Sequence, residues 1–246
     1  MQTDPCNNGR PAPVGYVTRL ESLAALVITS RVILFQDNTA ESVPPLMSTP
    51  TTRPLWLDLL HGALGFALVS IAAFSIWAFA AKYFRDFGGE LGMYAAIAAV
   101  FLGLSGLILA PLAGGLGRFY KAFLPAFLLY SVVWCIAWFG LKGRTGEWVG
   151  AGAGCLVFAW ISMKMLGSTR GWIIAAIGLF ILHSVGYFAG DSAMYDYWVP
   201  LAKDADLGKA EKAQALLMGK LSWGLFYGLG FGAGIGLVFH RARVGT

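Results

Sequence analysis

Charged residues are scarce in this chain of 246 residues. Lysine, arginine, aspartate and glutamate make up 13% of it, whereas apolar residues make up 57% and the mean hydropathy is +0.66. A soluble domain carries about 25% charged residues, so the chain has roughly half of the usual supply of polar surface. The composition therefore excludes a disordered chain and argues against a soluble globular enzyme.

Cysteine is almost absent as well. Cys6, Cys135 and Cys155 form no CxxC pair, which excludes a disulfide framework and gives no support to a thiolate metal site. The net charge of +5 comes from 18 basic and 13 acidic residues, and the basic ones stand singly or in pairs between apolar blocks. Because no basic stripe is present, we expect no nucleic acid partner, and the charge pattern indicates a lipid bilayer instead.

Amide side chains are missing from most of the chain. All asparagines lie before residue 39, and Gln214 is the only glutamine from residue 57 onward. A dedicated carrier of sugars, amino acids or metal ions needs several converging polar ligands. The sequence is therefore poor for polar-solute transport and suits a role that involves protons, gases, lipids or helix packing.

The first 54 residues differ from the rest because they hold seven of the ten prolines. Their apolar stretch Leu23–Phe35 is shorter than the roughly 17–25 residues that span a bilayer. We expect residues 1–54 to be a poorly ordered segment and residues 55–246 to form a six-helix transmembrane domain. Met47 begins a short polar lead into the first long apolar block, so residues 1–46 are either an N-terminal extension or sequence upstream of the true start.

Six long apolar blocks follow this segment. Each can cross about 30 Å of hydrocarbon as a helix, and only helices or closed barrels satisfy their backbone groups there. The alternation that is typical of barrel strands is absent. We therefore predict an all-α fold, a polytopic membrane helical bundle of about six transmembrane helices. The blocks are Leu57–Phe84, Leu91–Leu116, Phe119–Leu141, Trp148–Leu166, Trp172–Gly190 and Ala213–Phe239.

The charges between the blocks are distributed unevenly. The second link, the fourth link and the tail hold bases and no acid, namely Arg118, Lys121, Lys164, Arg170, Arg241 and Arg243. Every acid after Asp58 falls in the other links, and the fifth link, residues 191–212, is long, acidic and aromatic. Since basic links stay in the cytoplasm, we predict a multi-pass protein of a bacterial inner (plasma) membrane with both termini cytoplasmic.

Glycines recur at every fourth position of the sixth block. Gly224, Gly228, Gly232 and Gly236 lie one above another on a helix, which creates a smooth groove that a second backbone can approach closely. The groove predicts tight helix packing inside the membrane. The alternatives are an interface with a second copy or a membrane partner, and a groove for a lipid or a planar cofactor.

One group of ionisable residues is predicted to lie inside the membrane. His183 lies about seven residues below the end of the fifth block, and Lys220 lies about seven residues into the sixth, so both have a similar depth. Tyr187 shares the face of His183, and Asp191 follows one turn later. Because intramembrane ionisable groups usually face the bundle interior or water, we predict a polar site formed by these four residues.

A second pair of histidines lies near the predicted inner face. His61 lies near the start of the first block and His240 directly follows the sixth, and two histidines at one depth on different helices could hold a b-type haem. Asp58 precedes His61 by one helical turn and could orient it. A haem is therefore one cofactor that the sequence allows.

No catalytic constellation emerges from the blocks. Ser105 and His183 lie at different depths on antiparallel helices, and no amide side chain is available as an oxyanion donor. We therefore predict a non-enzymatic packing, accessory or assembly subunit. The alternatives are a small proton-linked or apolar-solute transporter or channel, and a haem-binding membrane subunit.

Overall fold

The computed structural model describes residues 53–245, which form a bundle of helices without a strand in that range. Six of these helices are long and apolar enough to cross a bilayer, as in a multi-pass membrane protein. The prediction of an all-α bundle is thus confirmed. The expectation for the N-terminal segment lies outside the described residues, except at residues 53 and 54. The spans are α1 (Leu55–Phe84), α2 (Gly89–Ala113), α3 (Leu116–Leu141), α4 (Gly143–Leu166), α5 (Trp172–Lys203) and α6 (Lys209–Val244).

Glycine ends helices where the chain must reverse within a few residues. Gly114 has φ of 80° and follows α2, and Gly167 has φ of 95° and follows α4. In both, the backbone N–H turns back to carbonyls of the last helical turn, which is the usual left-handed helix ending. Such short links make consecutive helices run in opposite directions.

The fifth helix is longer than the sequence predicted. It continues past Gly190 to Lys203, so the link expected over 191–212 is reduced to residues 204–208. The aromatic residues of this extension pack on α6, since the rings of Tyr195 and Trp223 lie 5.6 Å apart. The acidic residues made this stretch resemble a loop in the sequence. The stretch is helical because its aromatic residues pack against α6.

The glycine row of α6 packs on α1. A Cβ on Gly232 would overlap the carbonyl oxygen of Gly62, and a Cβ on Gly236 would overlap that of Asp58. Farther along, a Cβ on Gly228 would come within 2.6 Å of the Cα of Ala67. The groove predicted on this face is therefore occupied by a helix of the same chain.

A second face of α6 packs on α5 in the same way. A Cβ on Gly230 would lie 2.8 Å from the Cα of Gly186, and the reverse substitution would bring a Cβ equally close to Gly230. Such close backbone approach is the small-residue mode of membrane helix packing. Helix α6 is thus fixed between α1 and α5 by backbone contacts on two sides.

The two ends of the bundle differ in charge. The end that holds the start of α1 and the end of α6, here called the terminal end, is predominantly basic. Every acid of residues 53–245 except Asp58 lies toward the opposite end, together with a similar number of basic residues, and this end is here called the acidic end because of its carboxylates. The charge asymmetry read from the sequence is therefore a property of the folded bundle, and the cytoplasmic position of the termini stays a prediction.

A candidate intramembrane binding site

A cavity of about 720 Å³ lies in the half of the bundle nearer the acidic end. Aromatic side chains from five of the six helices form most of its wall, and its polar lining comes from a few hydroxyl and carboxyl groups. The lining residues are Phe74, Trp77, Tyr94, Ile97, Ala98, Phe101, Phe127, Tyr130, Ser131, Trp134, Cys135, Trp138, Phe139, Glu147, Tyr187, Asp191, Tyr195, Trp223 and Tyr227.

A charged group joins α4 to α5 at this cavity. Arg144 is bonded through Nη1 to Glu147 at 3.1 Å and through Nη2 to Asp191 at 2.9 Å. Its guanidinium also lies 4.9 Å from the centre of the Phe188 ring. The two carboxylates that line the cavity are therefore bridged by one cation that does not line it.

A buried histidine lies behind one wall of the cavity. His183 is fully buried, and its Nε2 lies 2.7 Å from the hydroxyl of Tyr130, which lines the cavity. Its Nδ1 has no hydrogen-bond partner among the described residues. With the proton on Nε2, the ring donates to Tyr130 and only a lone pair is left without a partner. The hydroxyl proton of Tyr130 is then available to another acceptor.

Two further tyrosines surround the same histidine. The Tyr187 ring stacks on that of His183 at 5.9 Å, and the Tyr227 ring meets it edge-on at 5.7 Å. The hydroxyl of Tyr227 also interacts with that of Tyr130. All three tyrosines line the cavity, and the hydroxyls of Tyr130 and Tyr227 connect the buried imidazole with the space in which a ligand would lie.

Lys220 contacts another wall residue. Its ammonium donates to the backbone carbonyl of Trp77 at 3.3 Å and lies 4.8 Å from the centre of that indole ring. Trp77 belongs to a wide π-type turn over Ile76–Ala80. A second wide turn, Ala193–Trp198, contains Tyr195. Turns of this kind are frequent at functional sites, and here both contribute a lining residue.

The structure divides the predicted polar site into separate contacts. It brings His183 and Tyr187 together and places Tyr187 and Asp191 in one cavity wall. Asp191 pairs with Arg144, whereas Lys220 bonds to Trp77. The four residues thus border one region without forming the single cluster that their spacing suggested, and whether they form a working site stays a prediction.

Sequence reasoning missed Tyr130, Tyr227, Arg144 and Glu147. Tyr130 and Tyr227 lie deep in apolar blocks, where a tyrosine hydroxyl needs a partner, and this was the signal that could have identified them. Arg144 and Glu147 were attributed to a link, but they belong to the first turn or so of α4.

His61 and His240, at the terminal end, form hydrogen bonds and ion pairs with neighbouring residues. Asp58 pairs with His240 Nδ1 at 2.7 Å, with Arg53 Nε at 3.3 Å and with Arg243, so its link to His61 runs through Arg53. His61 Nε2 lies 2.9 Å from the carbonyl of Ile108, and its Nδ1 lies 3.2 Å from the Arg53 guanidinium. Both ring nitrogens of His61 are thus occupied, and a haem ligated by His61 and His240 stays a prediction.

Comparison with known proteins provides no relative for this chain. No protein-family model, no characterised protein and no solved structure matches it. Its function is therefore inferred from the cavity and from the side chains around it.

Proposed function

We propose that the protein binds a small, mainly apolar solute in the aromatic cavity and carries it across the membrane. The observation that carries this proposal is a cavity of about 720 Å³ within a bundle of six apolar helices. Sites for small molecules typically have volumes of about 300–1,000 Å³, apolar walls and a few polar groups that orient the ligand. This cavity has all three properties.

The polar groups of the wall support a solute with one hydrogen-bonding group. Tyr130 bonds to His183 at 2.7 Å and interacts with the hydroxyl of Tyr227, so two lining hydroxyls are held in place at the wall that a ligand would contact. A hydroxyl that is already positioned by a buried partner loses little conformational freedom on binding. The remaining wall is mostly carbon, which suits an aromatic body more than a sugar or an amino acid.

The difference between the two ends of the bundle favours transport over a purely structural role. The terminal end is closed by the ion cluster around Asp58 and by the glycine contacts between α1 and α6. The cavity lies in the other half, beside the two wide turns. A carrier in one of its two states has this asymmetry, with one side closed and a solute site accessible toward the other.

The accessory-subunit prediction has lost one of its supports. The glycine row that suggested an external partner faces α1 within the chain. A role in assembly stays a prediction, but it would have to use another surface. Transport of an apolar solute needs a binding cavity within membrane-spanning helices, and the bundle contains such a cavity.

Solute binding tests the proposal directly. The probe is 4-neopentylphenol, titrated into the protein in lipid nanodiscs while tryptophan fluorescence is followed, with protein-free nanodiscs as the baseline. Ala98 lines the cavity, whereas Ala95 on the same helix does not, so Ala98→Phe fills the site and Ala95→Phe is its matched control. We expect saturable binding that Ala98→Phe abolishes and Ala95→Phe retains. Binding that is absent from the parent protein, or that is equal in all three, would contradict the proposal.

Movement across the bilayer is tested with the same variants in proteoliposomes. We expect entry of the probe to exceed that in protein-free vesicles and to fall to that level with Ala98→Phe. Saturable binding without such flux would show a binding protein that is not a carrier.

A further inference from the structure

We infer that the ligand of this cavity is an organic cation with an aromatic body, and that its charge takes the place of the Arg144 guanidinium between Glu147 and Asp191. This inference rests on the proposed solute site and specifies its substrate class. It follows from the charge of the lining, from the exposure of Arg144 and from the aromatic wall.

The charged side chains that line the cavity are all negative. Glu147 and Asp191 are the carboxylates among the lining residues, and no lysine or arginine is among them. Their side chains are only 16% and 14% exposed. Partly buried carboxylates attract a cation more strongly than those in water, because the local dielectric is lower. An anionic solute would be repelled, and a neutral one would gain nothing from these two groups.

A cation already occupies the position between these carboxylates. Arg144 reaches both from the start of α4, yet its own side chain is 61% exposed. Because its guanidinium is mostly exposed, Arg144 can turn outward, and the cost of leaving two partly buried carboxylates is offset when a ligand cation takes its place. Arg144 therefore balances one of the two negative charges when the site is empty and is replaced when a ligand cation arrives.

The cavity wall is suited to the same class of ligand. Trp134 and Trp138 both line it, and their rings stack at 5.8 Å. Indole faces attract ammonium groups, more strongly where water is excluded. The guanidinium of Arg144 makes a cation–π contact of the same kind with a phenyl ring, that of Phe188, at 4.9 Å. Carboxylates and aromatic faces together thus select a cation whose remaining surface is apolar.

Two isosteric probes separate this inference from the proposed function. The cation (4-hydroxybenzyl)trimethylammonium and the neutral 4-neopentylphenol differ only in nitrogen for carbon, so their shapes and hydroxyls match. Both are titrated into the parent protein, Glu147→Gln, Asp191→Asn, the double variant and Arg144→Gln in nanodiscs. Asp196→Asn is the matched control, because Asp196 lies on α5 as Asp191 does but outside the lining.

We expect the parent protein to bind the cation about tenfold more tightly than the neutral probe. Each carboxylate variant should reduce this preference, the double variant should abolish it, and neither should change binding of the neutral probe. Asp196→Asn should keep the parent preference. Arg144→Gln should bind the cation several-fold more tightly because its internal competitor is gone.

Each contrary result has a distinct meaning. Equal binding of the two probes by the parent would overturn the inference and leave the proposed function intact. Saturable binding of neither probe would contradict the proposed function itself. A preference that persists in the double variant, or an unchanged or weaker affinity in Arg144→Gln, would overturn the part assigned to the carboxylates and Arg144. Should the double variant fail to fold, the single variants and Arg144→Gln decide the same question.

Discussion

The two halves of the bundle use α1 and α6 in opposite ways. Near the terminal end the helices meet through glycine, and the backbone of Gly232 touches that of Gly62. Toward the acidic end the same helices present Trp77 and Trp223, whose rings lie 6.3 Å apart. Both of these indoles line the cavity.

The size of the side chains between α1 and α6 thus determines where the bundle is tightly packed and where it leaves a cavity. Where both faces are glycine, backbones are in contact and no ligand fits. Where large rings replace glycine, they hold the backbones apart and leave space between their edges. The acidic side chains follow the same division, since Asp58 is enclosed by two arginines and a histidine, whereas Glu147 and Asp191 share a single exposed arginine.

The largest effect should come from breaking the ion cluster of the closed half. In Asp58→Asn, Arg53, His240 and Arg243 lose the fully buried carboxylate that they share. Removing one partner of a buried cluster costs about 3–5 kcal/mol, and we expect about 3 kcal/mol because the partners can turn partly toward water. The measurement is the free energy of unfolding by steric trapping. Asp206→Asn, in an exposed link, should change it by less than about 0.5 kcal/mol, and equal effects of the two variants would refute the special role of Asp58.

A single methyl group tests the glycine contact next. Gly232→Ala would place its Cβ on the carbonyl of Gly62 and should destabilise the protein by about 2 kcal/mol, because α1 and α6 must separate. Gly103→Ala meets nothing within 4 Å and should be neutral or stabilising by up to about 1 kcal/mol. Thermal unfolding in detergent, followed by size-exclusion chromatography, compares the two. A Gly232→Ala protein as stable as the parent would show that the helices are not in backbone contact.

The hydrogen bond at the inner wall of the cavity should have a smaller effect. Tyr130→Phe removes the hydroxyl that His183 contacts and should cost about 1 kcal/mol, because the imidazole is left buried without that bond. Adding His183→Leu to this variant should recover part of the loss, since the buried imidazole that lost its partner is then absent. Tyr197→Phe, at an exposed position, is the control. The free energies form a double-mutant cycle, and additive effects would mean that the two residues are not coupled.

The smallest effect is expected at Lys220. Lys220→Met removes the bond to the Trp77 carbonyl and the contact with its ring, and the half-exposed ammonium should be worth about 0.5 kcal/mol. This corresponds to a fall of about 1–2 °C in Tm for a domain of this size. Lys209→Met, at the exposed start of α6, should leave Tm unchanged. A fall of 5 °C or more would show that Lys220 holds the wide turn of α1 in place.

Prediction from the sequence succeeded for elements and was incomplete for contacts. The six spans and the closeness of His183 to Tyr187 follow from helical length and spacing within one segment. The length of α5 was underestimated, because the aromatic residues after Asp191 pack on the following helix α6, and the spacing within their own segment does not show this contact. The pairing of Asp58 with His240 was missed, since these residues lie 182 positions apart and no local spacing connects them.

What the sequence determined by itself is the class of fold. Apolar segments of this length have to satisfy their backbone groups internally, and helices achieve this without reference to the rest of the chain. What only the tertiary structure decided is the rotation of each helix about its axis, and with it the residues that share the cavity. Helices that are apolar on every side carry little periodic signal for that rotation, because lipid and neighbouring helices are equally apolar surroundings. The meeting of Tyr130 with His183, and of Arg144 with Asp191, therefore depends on how the bundle packs.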